Sequence, residues 1–280
     1  MVKRNLIKKI NLGVISALIF AFALIWFSPI LWMVSTSLKP EKYTIEWPIH
    51  WIPRSVTLEN YYSVIFESVI NIFRPFFNSL FIASAVIVLT LLTSSLAAYA
   101  FSQLRFKGQN VLFFLVISTL MIPEEVLLVP RYLLLYKLQM INSYNALILP
   151  MVASPFGIFL LRQFFLGIPR DLQDAARIDG CSKFRIYYQI ILPLSKPALA
   201  ALAIFTFLAN WNSFTWPLIA IDSIELMTVP IFLATFHAFG VIMWGRLMAA
   251  VSCVTLPILI FFCIAQRGII KGITLTGLKG

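Results

Sequence analysis

Long uncharged runs alternate with short polar clusters along this chain. A helix needs about 20 consecutive apolar residues to cross hydrocarbon. Residues 11–38, 75–104, 138–161, 197–221 and 247–266 are runs of that kind. A further block opens at Gly108 and continues past Glu124 and Glu125 to about residue 130. The pattern thus predicts six spans. Residues 226–245 are also uncharged, but only Arg246 separates them from the last run. Two antiparallel helices need a turn of at least about two residues. With Pro230, Gly240 and His237, this segment is expected to be re-entrant or to lie on the outer surface, under protein cover. The first run is much longer than a signal-peptide core of about 7–15 residues, and no A-x-A-like site follows it. It is therefore expected to stay as a span.

Composition agrees with the pattern. Of 280 residues, 60% are apolar and 12% charged, and the mean hydropathy is +0.91. A soluble domain carries roughly 25% charged residues, so too few charges remain here to cover a water-facing globule. The fold class read from the chain is all-α, a polytopic membrane protein.

Charge sets the orientation. With both tails on one side, that side holds Lys3, Arg4, Lys8, Lys9, Arg105, Lys107, Arg162, Arg170, Arg177, Lys183, Arg185, Lys196, Arg267, Lys271 and Lys279. These are 15 of the 22 Lys and Arg. Only Asp171, Asp174 and Asp179 of the 11 acids join them. The positive-inside rule makes that side cytoplasmic, with an N-terminal tail at 1–10 and a C-terminal tail at 267–280. The net charge of +11 is then a matter of topology rather than a nucleic-acid-binding surface.

Catalytic signatures are missing from the sequence. It has no G-x-x-x-x-G-K-[ST] phosphate loop, no H-E-x-x-H, no G-x-S-x-G and no C-x-x-C. Three cysteines (Cys181, Cys253, Cys263) and two histidines (His50, His237) make neither a disulfide framework nor a histidine metal cluster. Hence no catalytic residue, cofactor or metal ligand is assigned. Glu124 and Glu125 read either as a solvated helix end or as groups facing a polar solute path.

One loop, 168–196, carries most of the information. Pro169 and Asp171 suit a helix start, and Leu172, Ala175 and Ala176 form a small-residue face. Gly180 suits a left-handed corner, and Ser182 caps a second helix bearing Phe184, Tyr187, Tyr188 and Ile191. Pro193 and Pro197 set it off from the fifth span. Helices below about 12–15 residues are marginal in water. This pair must therefore rest on a surface, either anionic lipid or a cytoplasmic partner.

The stretch Asp174-Ala175-Ala176-Arg177-Ile178-Asp179-Gly180, followed by Ile191-Leu192-Pro193-Leu194, resembles the EAA loop of ABC-importer permeases, with Asp in place of the usual Glu. Ala97-Ala98-Tyr99-Ala100-Phe101, Leu104-Arg105-Phe106-Lys107-Gly108, Met121-Ile122-Pro123 and Ser154-Pro155-Phe156 resemble the carbohydrate-uptake branch. So do Leu160-Leu161-Arg162-Gln163-Phe164-Phe165, Trp211-Asn212-Ser213-Phe214-Thr215-Trp216-Pro217-Leu218 and Gly277-Leu278-Lys279-Gly280. Within that branch the chain resembles the permeases of the maltose-uptake type.

That resemblance implies a type I ABC importer permease fold, six transmembrane helices with a cytoplasmic coupling helix. It implies a half-transporter in a bacterial or archaeal plasma membrane, paired with a second permease subunit. Two ATP-binding cassette ATPase subunits would bind inside, and an extracytoplasmic solute-binding protein would deliver a sugar or related solute. Asp174, Ala175, Ala176, Asp179, Gly180, Phe184 and Pro193 would form the ATPase-coupling site. The C-terminal tail would be either a topology anchor or a contact between the ATPases. On the substrate side, Asn210, Trp211, Asn212, Phe214 and Trp216 offer aromatic faces and amides; they read either as a sugar path or as interhelical packing. Asn78 and Ser79 are weaker candidates of the same kind. Without an ATPase partner, the remaining readings are a secondary transporter, for which intramembrane acids and repeats are lacking, or a membrane-embedded enzyme, for which a catalytic constellation is lacking.

Overall fold

The computed structural model describes residues 2–67, 71–236 and 242–274, and every regular element among them is helical. In chain order these are α1 (Val2–Ser37), α2 (Glu59–Tyr62), α3 (Phe73–Gln103), α4 (Gln109–Ser118), α5 (Glu124–Lys137), α6 (Tyr144–Val152) and α7 (Pro155–Leu166). They continue with α8 (Asp171–Ile178), α9 (Lys183–Ile186), α10 (Leu192–Leu194), α11 (Lys196–Trp211), α12 (Thr215–Ala220), α13 (Val229–Thr235) and α14 (Trp244–Thr274). The chain divides into two compact units, Met1–Ile72 with Thr235–Pro257, and Phe73–Ala234 with Ile258–Gly280. His237, Gly240 and residues 277–280 lie outside the described residues, as does the side chain of Cys263.

Three described helices are long and apolar enough to cross a membrane unaided: Ile15–Ser37, Phe73–Gln103 and Tyr144–Leu166. On α1, Leu18, Ile19, Phe22, Ile25 and Trp26 are all exposed. Such an apolar belt is stable only against lipid or another protein. Two further candidates are bent pairs, Gln109–Met121 with Glu124–Lys137 at 103°, and Lys183–Leu194 with Lys196–Trp211 at 76°. Trp244–Leu259 is a shorter apolar helix.

The 103° bend corrects the expectation of an uninterrupted run at 108–130, whereas the 76° bend falls between the second knob helix and the fifth run, where Pro193 and Pro197 set them apart. Within residues 108–130 the helix stops at Ile122, held extended (φ −87°, ψ 117°) by the ring of Pro123. Residues 138–143 form a turn, with Gln139 and Asn142 at positive φ, so the fourth run becomes helical only at Tyr144. Ser143 caps α6, and Ser154 with Pro155 at the first position restarts the chain as α7. In 197–221 the helix ends at Trp211 and resumes at Thr215. Residues 226–245 contain the seven-residue α13, far too short to span.

In the first unit, Asn60 ties the end of α1 to α2 by donating from Nδ2 to the Ser37 and Lys39 carbonyls at 2.9 and 2.7 Å. The Ser37 carbonyl belongs to the last turn of α1 and that of Lys39 lies just past it, where intrahelical donors run out. Lys39 is buried: its Nζ donates to the His50 carbonyl at 2.6 Å and lies 4.2 Å from the Trp32 ring. Burial holds its pKa below the ordinary 10.5, against the opposing pull of Glu46. The Glu41 carboxylate accepts from the Gly245 N–H at 3.0 Å, at the electropositive start of α14. A Cβ at position 245 would meet Asn60 Nδ2 at 2.7 Å and Glu41 Oε2 at 2.8 Å, so a larger residue would displace the side chains that make these contacts.

In the second unit α3 is the central strut, packed by α6, α7 and α11. Close approach is permitted by Gly157 on α7: a Cβ there would stand 2.7 Å from Ser94 Oγ and 3.1 Å from Leu202. Two buried clusters follow along α3. One gathers Ala98, Tyr99, Leu161, Phe165, Ala176, Ile186, Tyr187, Ile191 and Leu202; the other Ile82, Val86, Leu147, Trp216 and Ala220.

Candidate coupling surface and solute cleft

The loop at 168–196 forms helix, corner and helix. Asp171 and Asp174 lie in the first turn of α8, where carboxylates complement the helix dipole. The helix ends in a full Schellman arrangement: Cys181 N–H donates to the Ala176 carbonyl at 2.9 Å, and Gly180 N–H to that of Arg177 at 3.0 Å. Gly180 sits at φ +80°. Ser182 then caps α9, its Oγ accepting from Arg185 N–H at 3.3 Å. The second helix runs as α9, a π turn at Tyr187–Ile191 and α10, not as one regular α-helix. Pro193 has no N–H to give the Gln189 carbonyl, so a regular i to i+4 ladder is interrupted there.

This knob is pinned to the last turns of α3. Tyr187 and Ser95 share a hydroxyl contact of 2.8 Å, and Tyr99 Oη donates to the Lys183 carbonyl at 2.9 Å. Gln173 Nε2 donates to Gln103 Oε1 at 2.8 Å, while Gln103 Nε2 donates to the Phe165 carbonyl at the end of α7. Ser95, Tyr99 and Gln103 follow one another four residues apart on one face of α3, and Tyr187 and Gln173 are buried. Residues 95, 99, 103 and 173 escape the sequence reading, although a polar stripe at spacing four in an apolar helix is a signal of interhelical hydrogen bonding.

The expected coupling residues divide between two faces. Asp174, Ala175, Asp179, Gly180, Phe184 and Pro193 are exposed. Ala176 is not: it is 7% exposed, packed in the cluster with Tyr99 and Phe165, and so seats the knob instead of offering a surface. Ile178 (88% exposed), Phe184 (69%), Tyr188 (65%) and Leu172 (45%) make an apolar crown on an otherwise charged knob. The exposure of Ile178 was not foreseen, because its face depends on which side of α8 docks inward. Asp174 Oδ1 accepts from Arg177 Nη1 at 3.0 Å, an exposed pair of small energetic weight.

The substrate-side candidates also separate. A cleft of about 270 Å³ is lined by Asn210, Phe214 and Trp216 together with Glu124, Glu125, Arg131 and Ser213. Trp211 and Asn212 do not line it: Trp211 stacks on Phe207 (5.4 Å) and meets Phe76 edge-on, and Asn212 bonds back to its own helix at Leu208. Asn210 bonds back likewise, to Thr206. Trp216 is 4% exposed, and its Nε1 donates to the Ala146 carbonyl at 3.0 Å. That carbonyl would ordinarily accept from residue 150, which is a proline. Arg131 lies 5.0 Å over the Trp216 ring. Asn78 and Ser79 are buried and hold the 225–229 segment: Asn78 donates to the Glu225 and Met227 carbonyls and accepts from Tyr144 Oη, and Ser79 accepts from Val229 N–H.

Comparison with known proteins agrees with this geometry. Residues 90–274 match the family described as the binding-protein-dependent transport system inner membrane component. The chain is 40% identical over 270 residues to the arabinooligosaccharides transport system permease protein of Halalkalibacterium halodurans, covering 93% of this chain and 94% of that one. It is 35% identical over 281 residues to the trehalose/maltose transport system permease protein of Thermococcus litoralis, covering 99% of each. Its fold is similar to that of a chain of a bacterial ABC transporter that imports the acidic polysaccharide alginate, with a TM-score of 0.82 over 92% of this chain and 96% of that one, at 22% identity. The type I importer permease fold expected from the sequence is therefore the fold found. These matches also remove the secondary-transporter and membrane-enzyme readings. The chain belongs to the binding-protein-dependent inner-membrane transport components, and is a multi-pass membrane permease, not an enzyme.

Proposed function

We propose that the chain forms half of the translocation path of an ABC importer for a sugar or related solute, and transmits the work of a separate ATPase through the α8–α9 knob. The observation that carries this reading is the knob itself. It is exposed at its apolar crown and fastened at its base to α3 by Ser95, Tyr99 and Gln103. A push on the crown is thereby delivered to the longest helix of the unit. A second permease subunit completes the path, two ATPase subunits sit on the cytoplasmic side and a solute-binding protein delivers from outside. Both termini face the cytoplasm, as the Lys and Arg bias requires, and the six expected spans, bends included, make up the membrane part.

In this reading Ile178, Ala175, Gly180 and Phe184 seat in the ATPase, with Asp174 and Asp179 making charge-assisted contacts at its edge. ATPase closure rocks the knob and α3 together, giving alternating access. The cleft at Asn210, Ser213 and Phe214 is the solute-facing surface on this half. Its exposed Phe214 ring, amide and hydroxyl suit a polyhydroxylated solute. Relatives named for arabinooligosaccharides and for trehalose/maltose support a carbohydrate cargo.

The test uses position 180. A Cβ there meets nothing within 4 Å, so a side chain is resisted only by φ +80° and by whatever docks. Gly180→Asn tolerates the left-handed backbone, whereas Gly180→Val does not. In a reconstituted complex Gly180→Val is expected to insert normally but to lose solute-stimulated ATP hydrolysis and uptake, with Gly180→Asn retaining most of both. Normal coupled transport by Gly180→Val would refute the docking.

A further inference from the structure

Behind the knob lies a second cleft, of about 560 Å³, at the ends of α3 and α7. Its walls carry Arg105, Arg162, Arg170, Arg177 and Lys183 against the single carboxylate of Asp174. Two of these cations are already committed. Arg177 pairs with Asp174, and Arg162 donates from Nε to the Phe101 carbonyl at 3.0 Å with its guanidinium 4.0 Å from the Phe113 ring. Among the described residues no carboxylate oxygen lies within 4.0 Å of a side-chain nitrogen of Arg105, Arg170 or Lys183. Three cations therefore converge on one cavity with no anion to balance them.

We propose that this cleft binds the phosphate of an anionic membrane lipid. Arginine forks match phosphate oxygens two at a time, and the partly enclosed walls strengthen each contact relative to open water. The apolar run of α3 stops here, and Leu104 and Leu166 stand on the same walls, so a headgroup held by the cations leaves its acyl chains beside apolar surface. Basic pockets between spans on the cytoplasmic side take anionic headgroups for this reason. A free phosphate would gain nothing from the two leucines. An acidic partner segment is the lesser fit: the cleft uses Arg170 at the N-cap of α8 with Gln173, Asp174 and Arg177 of that helix, and shares only Asp174 with the proposed docking face, whose Ala175, Ile178, Gly180 and Phe184 do not line it. The bound lipid acts as a staple between the α3–α4 turn, the end of α7 and the base of the knob. The inference rests on the cytoplasmic placement of this loop proposed above.

The experiment uses the whole assembled transporter, purified in neutral detergent and delipidated, with binding read by native mass spectrometry. Phosphatidylglycerol and cardiolipin are expected to be retained at least about tenfold over phosphatidylcholine, and Arg105→Gln with Arg170→Gln to remove about tenfold or more of that preference. Arg105→Lys with Arg170→Lys keeps the charge and is expected to keep most of it. Equal retention of the anionic and zwitterionic lipids would overturn the proposal, as would an unchanged preference in the double Gln variant. Displacement of the lipid by millimolar inorganic phosphate would make this a free-anion site and also overturn it. Loss of the ATPase from the double Gln variant with unchanged lipid retention would assign the cations to the partner instead. If no ATPase copurifies with the unaltered chain, it is the coupling reading that fails, whatever the lipid result.

Discussion

Single residues here act mostly by repairing backbone that the sequence breaks. Trp216 is the clearest case. Its indole N–H supplies the Ala146 carbonyl with the donor that Pro150 lacks. Trp216→Phe keeps an aromatic ring but leaves that carbonyl buried and unpaired, which costs about 1–3 kcal/mol, and leaves a void where the second ring stood, which adds to the loss. We expect a lower thermal midpoint for the purified complex, with retained solute affinity in its binding protein; an unchanged midpoint would show that another group satisfies the carbonyl. Gln109 Nε2 and Arg162 Nε do the same for the Phe101 carbonyl in the last turn of α3. Asn142, at φ 58°, accepts from the Asp222 and Ser223 N–H groups and so holds the segment after α12. From the sequence, Trp216 and Asn142 carry no such label, because the atoms they serve lie about 70 and 80 residues away along the chain.

At the scale of elements, the knob and α3 are one mechanical piece. Gln173→Ala removes the Gln103 contact, and Tyr99→Phe removes the contact with the Lys183 carbonyl. Each is expected to leave docking of the ATPase intact and to lower the ratio of solute moved to ATP hydrolysed, since the crown is untouched while its base is loosened. The double variant should lower it further, and the deviation from additivity measures the shared linkage. If transport per ATP stays constant, force does not pass through these contacts. The element boundaries teach the same lesson as the residues. The helix, glycine corner and Ser182 cap of the knob were readable, because each is decided by residues within one turn. The bend after Ile122 and the break after Trp211 were not, although Pro123 stands at one of them: a long apolar run satisfies hydropathy whether it is straight or folded on itself.

For the whole molecule, the orientation proposed above places both tails on one side of the membrane. Single cysteines at Lys3 and at Lys279, in a background with the native cysteines replaced, should be labelled by an impermeant thiol reagent only after the membrane is opened from the cytoplasmic side. Labelling of either in intact cells would invert the proposed orientation and, with it, the placement of the knob. The long exposed belt of α1, with Leu18, Ile19, Phe22 and Trp26, is stable in the same frame against lipid or another protein.

The sequence by itself determined the membrane class, the helical class, the family and the existence of a bent helix, corner and helix knob. The classes and the knob follow from apolar runs and short-range turn chemistry, which act over a few residues to about 20, whereas the family rests on the resemblance of short motifs. Only the tertiary structure decided which face of the knob is offered. It turned Ala176 inward and Ile178 outward, packed Trp211 against Phe76 and Phe207, tied Asn78 to the 225–227 carbonyls, and brought Glu124, Arg131 and Asn210 to one cleft. The reason is that a helix presents several faces to its surroundings, and which of them is buried is settled by partners distant in the chain.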